Sequence, residues 1–468
     1  MTITLVKPTT VTSASPTIAV FNPYSGARIG QVAVADEVAV AKALHGARRA
    51  WREFRFSTPA ERKALLYRLS ELLADEADDM ARIICAEVGK TITEARNEVR
   101  RAQNTLRLSG DAVTVLHGEV LPTAIVPGAP SKLASITYEA AGVVGAITPF
   151  NYPLNLLCHK LGPAIAAGNA VVAKPSPKAP LAAARLAELA AMAGFPAGLF
   201  TVVHGGAEVA ATIAGGDIDI LSFTGGPAAG LALKNASGLV RCLMELGGND
   251  PLIVMPDADL DRAAEVAIGH RFEIAGQSCA AVKRLFLHDS IRETMLERIL
   301  ERIEAVRTGD PADADTVMGT VIDEQAAIEV ERRVRLAISD GAKLLAGGLR
   351  KGTLFAPTLL DAVSEDTDLV RSETFGPVLA VRRFSDVGSV IAEVSDGIYG
   401  LQAGVFTNDH ALVKRFSREL RVGGVMINEG PDFRAENVPF GGIKSSGLGR
   451  EGIHMTLREM SETKVVID

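Results

Sequence analysis

Hydrophobic and polar positions predict helices in the opening third of the chain. From Asp36 to Phe54 apolar residues recur at helical spacing. A second helix is predicted to begin at Thr58–Glu61, because Thr58 can cap free backbone N–H groups, Pro59 suits the first helical position and Glu61 completes a capping box. A third, polar helix is predicted from Thr91.

From Gly142 onward the pattern changes to short apolar runs that alternate with helical stretches. The runs are GVVGAIT, NAVVAKP, FTVVHG, DILSFTG and VRCLMELG. This alternation is typical of a parallel sheet with crossover helices. Doubly wound sheets bind nucleotides at the carboxyl ends of their strands, so we expect a cofactor crevice there.

A second α/β region is predicted from about Gly248 to about Met426, with strands at RLFLHD, PVLAVRRF and GGVMIN. The segment GEVLPTAIVPGAPSKLASITYEA and the closing TKVVI alternate like strands outside the βαβ rhythm, and could form an extension that pairs with another subunit. The predicted domains are residues 1–117 and 139–246 for the cofactor, 247–440 for catalysis, and 118–138 with 454–468 for oligomerisation.

Composition places the chain among soluble globular proteins and argues against several partners. Its 468 residues exceed what one core usually supports, and 47% are hydrophobic and 22% charged. The net charge of -7 comes without a cluster of Lys and Arg, so neither nucleic acid nor a membrane is expected as a partner. The start of the chain does not resemble a secretory signal, and no spanning helix is evident, so we expect a cytoplasmic protein.

Four dispersed cysteines, without paired short spacings, argue against a disulfide framework or a zinc site, and no metal is expected. Cys85, Cys158 and Cys242 are interpreted as buried small apolar residues. Cys279 differs because small residues flank it in AGQSCAAVKR, where a thiol could meet a substrate.

One literal G-x-G-x-x-G motif spans Gly447 to Gly452. A dinucleotide fingerprint follows a strand, opens a helix and needs a further strand downstream, and too few residues remain after Gly452. We therefore interpret the motif as a glycine-rich loop near the rim of the active site.

Three further residues stand with Cys279 as candidates for chemistry. Glu245 ends a predicted strand in MELGGND, and the two glycines after it are expected to leave its side chain facing open space, where it could act as a base. Asn151 in AITPFNYP is a neutral donor that could hold an oxyanion together with the Cys279 N–H. Lys174 in VVAKPSP ends the next strand, at the level of a ribose or phosphate contact.

Each of these residues also has a structural interpretation: Asn151 as a turn residue, Lys174 as a solvated charge, and Glu245 as a cap. Their combination favours a shared site. Together with NPYSG, AGNAVVAKPS, FTGG, ETFGPV and PFGGIKSSGLGREG, these stretches resemble the NAD(P)-dependent aldehyde dehydrogenase superfamily over nearly the whole chain, and are most similar to lactaldehyde and phosphonoacetaldehyde dehydrogenases.

The resemblance implies a Rossmann-like cofactor domain, an α/β catalytic domain and a small β-extension that builds homodimers or homotetramers. It implies that Cys279 attacks the aldehyde, that Asn151 holds the oxyanion and that Glu245 is the general base, with Lys174 grouped among the catalytic residues. A thiohemiacetal would become a thioester and then a carboxylic acid, with NAD or NADP as cofactor.

Two alternatives compete with this hypothesis. An acylating dehydrogenase would pass the thioester to coenzyme A, and Glu245 argues against that branch. A non-catalytic binding protein of the same fold would not need Cys279, Glu245, Asn151 and Lys174 together.

The resemblance also implies a set of cofactor-binding residues that spans several motifs. They are Ile147, Thr148, Pro149, Phe150, Lys174, Ser176, Pro177, Gly205, Phe223, Thr224, Gly225, Gly226, Leu246, Glu373 and Phe375. Gly226 replaces a Ser common in the family. Pro177, followed by Lys178, replaces a Glu that accepts hydrogen bonds from the adenine ribose in many NAD-preferring relatives, so we predict that NADP is accepted alongside NAD.

For the substrate, the resemblance suggests contacts from Asn151, Ser278, Arg434, Arg101 and Phe440. Ser278 leaves the mouth small and polar, although phosphonoacetaldehyde enzymes have Arg there. Arg434, with Arg101 as a second candidate, could grip an anionic group in a bidentate fork. The alternative is that both are surface or interface arginines. The predicted substrate is a small, polar or anionic aldehyde.

Overall fold

The computed structural model describes residues 16–128 and 130–468. The predicted early helices are present as Glu37–Phe54, Pro59–Asp75 and Ile92–Asp111, with reciprocal capping boxes at Thr58 and Thr91. The expectation of a purely helical opening third was wrong, because a two-stranded antiparallel ribbon, Thr17–Phe21 with Arg28–Ala33, precedes them. A further helix, Ala77–Val88, was not predicted.

The first large sheet has six strands and the predicted doubly wound form. From edge to edge they are Gly447–Leu448, Arg241–Glu245, Ile220–Thr224, Val143–Ile147, Ala170–Lys174 and Phe200–Val202. The last five are parallel, with the order reversing between Val143–Ile147 and Ile220–Thr224. Crossover helices are Asn155–Ala167, Leu181–Met192, Ala207–Ala214 and Pro227–Ser237. Such a reversal opens a crevice at the carboxyl ends of the strands.

The second large sheet has seven strands. In order they are Lys343–Ala346, Thr358–Asp361, Val378–Phe384, Arg284–His288, Pro251–Val254, Gln402–Phe406 and Gly424–Ile427. Only the first is antiparallel to its neighbour. The helices are Leu260–Phe272, Arg292–Glu304, Glu324–Ser339, Asp368–Arg371, Val387–Asp396 and His410–Glu419, and a small ribbon pairs Arg350–Lys351 with Leu354–Phe355.

Three buried strands of this sheet, Pro251–Val254, Thr358–Asp361 and Gln402–Phe406, were missed by the sequence patterns. All their residues are buried, so they lack the alternation of a half-exposed strand.

The predicted β-rich segments form a separate three-stranded antiparallel sheet. Its order is Ser461–Ile467, Leu133–Ala140 and Glu119–Pro122, so the closing TKVVI pairs with its own chain. Six of the seven residues in the edge strand Ser461–Ile467 are exposed.

The glycine motif at Gly447–Gly452 is only partly a loop. Gly447 and Leu448 pair antiparallel with Glu245 and Met244, because the edge of the first sheet offers unpaired backbone groups there. The motif then turns and leads into the helix Ile453–Glu459. It therefore does not connect a parallel strand to a crossover helix.

Two of the three cysteines expected to be structural, Cys85 and Cys158, are buried, whereas Cys242 is partly exposed, contrary to expectation. In the described ranges, no helix combines the length and apolar character needed to cross a bilayer. Across the same residues, no group of three or more His, Cys, Asp or Glu side chains is arranged to hold a metal ion.

Candidate active site

A cavity of about 270 Å³ opens at the carboxyl ends of the six-stranded sheet, beside the reversal of strand order. It combines backbone turns from that sheet with side chains from distant parts of the chain. Its lining residues are Arg101, Pro149, Phe150, Asn151, Tyr152, Asn155, Leu156, Thr224, Gly225, Gly226, Glu245, Leu246, Gly247, Glu273, Ser278, Cys279, Glu373, Phe375, Asp432, Arg434, Phe440 and Glu451.

The loop that carries Cys279 begins with three consecutive residues in the left-handed backbone region. Ile274, Ala275 and Gly276 have φ values of 49°, 50° and 73°. This conformation is costly for a β-branched residue such as Ile274, so neighbouring groups must hold it. Glu94 does so by accepting the Ile274 N–H at 2.7 Å.

Two buried side chains fix the rest of this loop. The Gln277 amide donates to the Ile274 carbonyl at 3.0 Å and accepts the Ile322 N–H at 2.8 Å. The Lys283 ammonium donates to the carbonyl oxygens of Ser278, at 2.8 Å, and Cys279, at 2.6 Å. The thiol is therefore held on a rigid turn rather than on a mobile loop.

Burial raises the pKa of the Cys279 thiol, although the nearby Lys283 ammonium opposes this effect. The resting group at neutral pH is accordingly the thiol. It needs a proton acceptor before it can act as a nucleophile.

Asn151 lies in the turn after the strand Val143–Ile147 and is 4% exposed. One amide N–H donates to the Gln277 carbonyl at 2.8 Å. A primary amide has two N–H donors, so one is left for another acceptor. The amide is thereby tied to the same loop that carries Cys279.

Glu245 ends the strand Arg241–Glu245, as predicted, but its side chain does not face open space. It is only 6% exposed, and one carboxyl oxygen accepts the Glu451 N–H at 3.2 Å while the other is buried and has no hydrogen-bond partner within residues 16–128 and 130–468. The sequence around Glu245 could not predict this burial, because Glu451 lies in a loop that is distant in sequence.

Burial, and secondly the charge of Glu451, raises the pKa of Glu245 well above its usual range. Burial alone would also raise the pKa of Glu451, but Arg434, His159 and Lys160 outweigh it and lower that pKa. Within the pair, Glu245 therefore holds a proton more readily than an ordinary carboxyl group, and Glu451 less readily.

Arg434 and Arg101 both line the cavity, so they are not surface arginines. Each is already paired. Arg434 donates one terminal N–H to Glu451 at 2.8 Å and lies over the Phe440 ring, 4.4 Å from its centroid. Arg101 donates its Nε–H to Glu436 at 2.7 Å. Because a guanidinium has five N–H donors, both keep donors for a ligand.

Acidic side chains share this wall of the cavity. Asp432 accepts the Ser278 hydroxyl at 3.0 Å, and Glu273 accepts the Tyr152 hydroxyl at 3.4 Å. The sequence predicted only arginines and small polar groups here, so these carboxylates were missed.

The cofactor crevice lies beside this cavity, along the strand ends of the six-stranded sheet. Lys174 is 5% exposed, and its ammonium donates to the Pro175 and Gly205 carbonyls at 3.0 and 3.2 Å. Burial lowers its pKa to about 8. Lys174 does not line the Cys279 cavity, so the structure separates it from the other candidate catalytic residues and places it on the outer part of the crevice.

At the inner part, Gly225 and Gly226 lead into the helix Pro227–Ser237. A Cβ on Gly225 would lie 2.5 Å from the Phe223 ring, whereas one on Gly226 would meet nothing within 4 Å. Phe150 packs edge-on against Phe375 at 5.8 Å between centroids.

The structure thus brings most predicted site residues to one cavity. Ile147, Thr148, Lys174, Ser176, Pro177, Gly205 and Phe223 lie outside its lining. They follow the strand ends instead; for example, the Thr148 N–H donates to the Lys174 carbonyl at 3.1 Å.

Sequence reasoning missed Tyr152, Glu273, Lys283, Asp432 and Glu451. Glu451 lay inside a glycine motif set aside as a loop, and a charged residue within such a loop was the available signal. Lys283 and Glu273 flank Cys279 in sequence, but nothing in the pattern predicted which way their side chains point.

A doubly wound sheet whose crevice meets a rigidly held thiol, an amide and a buried carboxyl defines a dinucleotide-dependent enzyme with a cysteine at its centre. The sequence matches the Aldehyde dehydrogenase family over residues 10–466. The chain belongs to this family and is an NAD(P)-dependent oxidoreductase acting on aldehydes.

Individual relatives extend along almost the entire chain. It is 39% identical to 3-sulfolactaldehyde dehydrogenase of Priestia aryabhattai, over 96% of this chain and 94% of that protein. It is 40% identical to Aspartate-semialdehyde dehydrogenase 1 of Pseudomonas canavaninivorans, over 96% of each. Among solved structures, NADP-dependent glyceraldehyde-3-phosphate dehydrogenase from Bacillus halodurans C-125, complexed with NADP, has a TM-score of 0.95 and 35% identity, covering 97% of this chain and 96% of that one.

Proposed function

We propose that the chain oxidises a small polar or anionic aldehyde to its carboxylic acid through a covalent bond to Cys279. The observation that carries this proposal is that Cys279, Asn151 and Glu245 line one cavity beside the dinucleotide crevice. The names of relatives that act on sulfonated or phosphorylated aldehydes support the substrate class.

In this mechanism the Cys279 thiol releases its proton to solvent water in the open cavity, and the sulfur attacks the aldehyde carbon. The thiohemiacetal oxyanion accepts the free Asn151 N–H and the Cys279 backbone N–H. Pre-oriented donors of this kind stabilise developing negative charge without reorganising. The left-handed turn and the Lys283 contacts hold the sulfur and the backbone N–H in fixed relation.

A bound nicotinamide would supply the hydride acceptor that converts the thiohemiacetal to a thioester. Glu245, once ionised, would take a proton from the water that attacks this thioester. Its raised pKa makes its ionised form a stronger proton acceptor than an ordinary carboxylate.

The residues of the crevice fit a dinucleotide. The Gly225–Gly226 turn allows close approach to the N-terminus of Pro227–Ser237, where backbone N–H groups favour a pyrophosphate. Lys174, Ser176 and Gly205 would hold the ribose end, and Glu373 with Phe375 the nicotinamide end.

We also propose that NADP is accepted alongside NAD. Pro177 places no carboxylate after the Lys174 strand. The exposed Lys178 ammonium is paired with Asp323 at 2.6 Å and keeps further N–H donors, which a 2′-phosphate could accept.

For the substrate, Arg434 and Arg101 would use their remaining N–H donors for an anionic group at the far end of the aldehyde. Ser278 and Phe440 would shape the space between that group and Cys279. We further propose that the three-stranded sheet forms the oligomerisation extension, since its edge strand Ser461–Ile467 exposes Val465, Val466 and Ile467 by 56%, 51% and 59%.

The proposed function is tested by steady-state reduction of NAD and NADP with a series of short aldehydes that carry no charge, a hydroxyl, a carboxylate or a sulfonate. We expect turnover with both cofactors and the highest kcat/KM with a polar or anionic aldehyde. Absence of turnover with every aldehyde would contradict the proposal.

A further inference from the structure

The far wall of the cavity carries more acidic than basic groups. Arg434 is paired with Glu451 at 2.8 Å, and Arg101 with Glu436 at 2.7 Å. In the described part of the chain, neither Asp432 nor Glu273 forms an ion pair with a Lys or Arg, although both line the cavity. Two carboxylates are therefore left over after each arginine has its own partner.

Asp432 lies close to the nucleophile. One of its oxygens accepts the hydroxyl of Ser278, the residue before Cys279, at 3.0 Å. The other oxygen is buried and has no hydrogen-bond partner among the described residues. A buried carboxylate oxygen without a donor is costly, so a donor supplied by a ligand would be stabilised there.

Glu273 faces the same space from the residue that precedes the left-handed turn. Among the described residues, the one hydrogen bond to its carboxylate is the long contact from the Tyr152 hydroxyl at 3.4 Å. The neighbouring Lys90 cannot serve as its counterion, because Lys90 is fully buried, pairs with Glu98 at 2.7 Å and points at the Tyr152 ring. Burial, followed by the charge of Asp432, raises the pKa of Glu273, as expected for two carboxyl groups that share a site.

We propose that Asp432 and Glu273 form a subsite for an ammonium group carried by the aldehyde substrate. An ammonium group supplies three N–H donors, one of which could reach the Asp432 oxygen that lacks a donor. Its positive charge would balance the excess negative charge of Asp432 and Glu273. With the arginines nearby for an anion, the preferred substrate is a zwitterionic amino-acid aldehyde. This inference rests on the proposed function, because it specifies the aldehyde oxidised at Cys279.

The test compares three aldehydes that differ at one carbon: 4-oxobutanoate, 2-hydroxy-4-oxobutanoate and 2-amino-4-oxobutanoate. The amino compound should give a kcat/KM about 10-fold or more above the other two, as expected for a hydrogen bond between charged groups. The hydroxy compound distinguishes an ammonium subsite from one that accepts any donor.

Charge-removing variants then locate the effect. Asp432→Asn and Glu273→Gln should each lower the ratio of kcat/KM for the amino compound to kcat/KM for 4-oxobutanoate by about 10- to 100-fold. Glu265→Gln makes the same change on the exposed face of the preceding helix, and should leave kcat/KM unchanged for both the amino compound and 4-oxobutanoate. Thermal unfolding of all three variants checks that each is folded.

The subsite is contradicted if the wild-type enzyme has the same kcat/KM for the amino compound as for 4-oxobutanoate, or if the hydroxy compound gives as high a kcat/KM as the amino compound. It is also contradicted if both variants lower kcat/KM equally for all three aldehydes. In these cases turnover itself still supports the proposed function. If the wild-type enzyme reduces no cofactor with any aldehyde, the proposed function fails, and the subsite fails with it.

Discussion

The cofactor crevice and the substrate cavity meet at Cys279 but are built differently. Most of the crevice is made of strand ends, glycines and backbone N–H groups within one stretch, from Val143 to Glu245, and only its proposed nicotinamide end uses Glu373 and Phe375 from elsewhere. The far wall of the cavity is made of charged side chains from four distant segments, carrying Arg101, Glu273, Asp432 and Glu451. Binding of the common cofactor therefore uses local backbone geometry, whereas selection of a substrate depends on charged side chains that pair across the fold.

The largest expected effect is at Glu245, where the two regions share a carboxyl group. Glu245→Gln should lower kcat by about 10²- to 10⁴-fold, the usual range for a lost general base, while cofactor binding stays unchanged. Steady-state kinetics and cofactor titration measure the two quantities. A variant with wild-type kcat would remove Glu245 from the mechanism.

The pH profile of the same enzyme sharpens this prediction. Because burial and Glu451 raise the pKa of Glu245, its ionised form accumulates only above that raised value. The kcat should therefore fall as pH decreases through it, and this acidic limb should be absent in Glu245→Gln. A limb that persists unchanged in the variant would assign the titration to another group.

Asn151→Ala is expected to have the next largest effect. It removes one oxyanion donor, and losses at comparable sites lower kcat by roughly 10²- to 10³-fold. The same change also frees the Gln277 carbonyl, so thermal unfolding should accompany the kinetics. A loss confined to KM would show that Asn151 binds the aldehyde without serving the transition state.

The smallest effect should be found in the crevice. Pro177→Glu places a carboxylate near Lys178 and should lower kcat/KM with NADP by about 10-fold while leaving NAD nearly unchanged, since an exposed charge is partly screened by solvent. The ratio of the two cofactors in parallel assays measures it. An unchanged ratio would place the 2′-phosphate elsewhere.

The two regions also differ in how far the sequence predicted them. The strands that end in Lys174, Thr224 and Glu245 were predicted, because short apolar runs and the residues after them fix a local geometry. The enclosure of Glu245 by Glu451 was not predicted, since 206 positions separate them and no local pattern links them.

The arginines illustrate the same limit. Arg434 and Arg101 were proposed from residue type, and the structure brings both to the cavity. Their pairing with Glu451 and Glu436, and the excess acid at Asp432 and Glu273, depend on which side chains meet across the fold. Residue type predicted the two arginines, and tertiary contacts decided which side chains they pair with.

The proposed mechanism requires that the Cys279 thiol forms a covalent bond to the substrate. The most direct measurement is mass spectrometry of the Glu245→Gln enzyme after rapid mixing with aldehyde and NAD or NADP, because slowed hydrolysis should let the acyl-enzyme accumulate. We expect the peptide containing Cys279 to gain the mass of the acyl group. The corresponding peptide of Cys279→Ala should gain no mass, and this variant should have lost turnover. An acyl group elsewhere, or undiminished oxidation by Cys279→Ala, would contradict it.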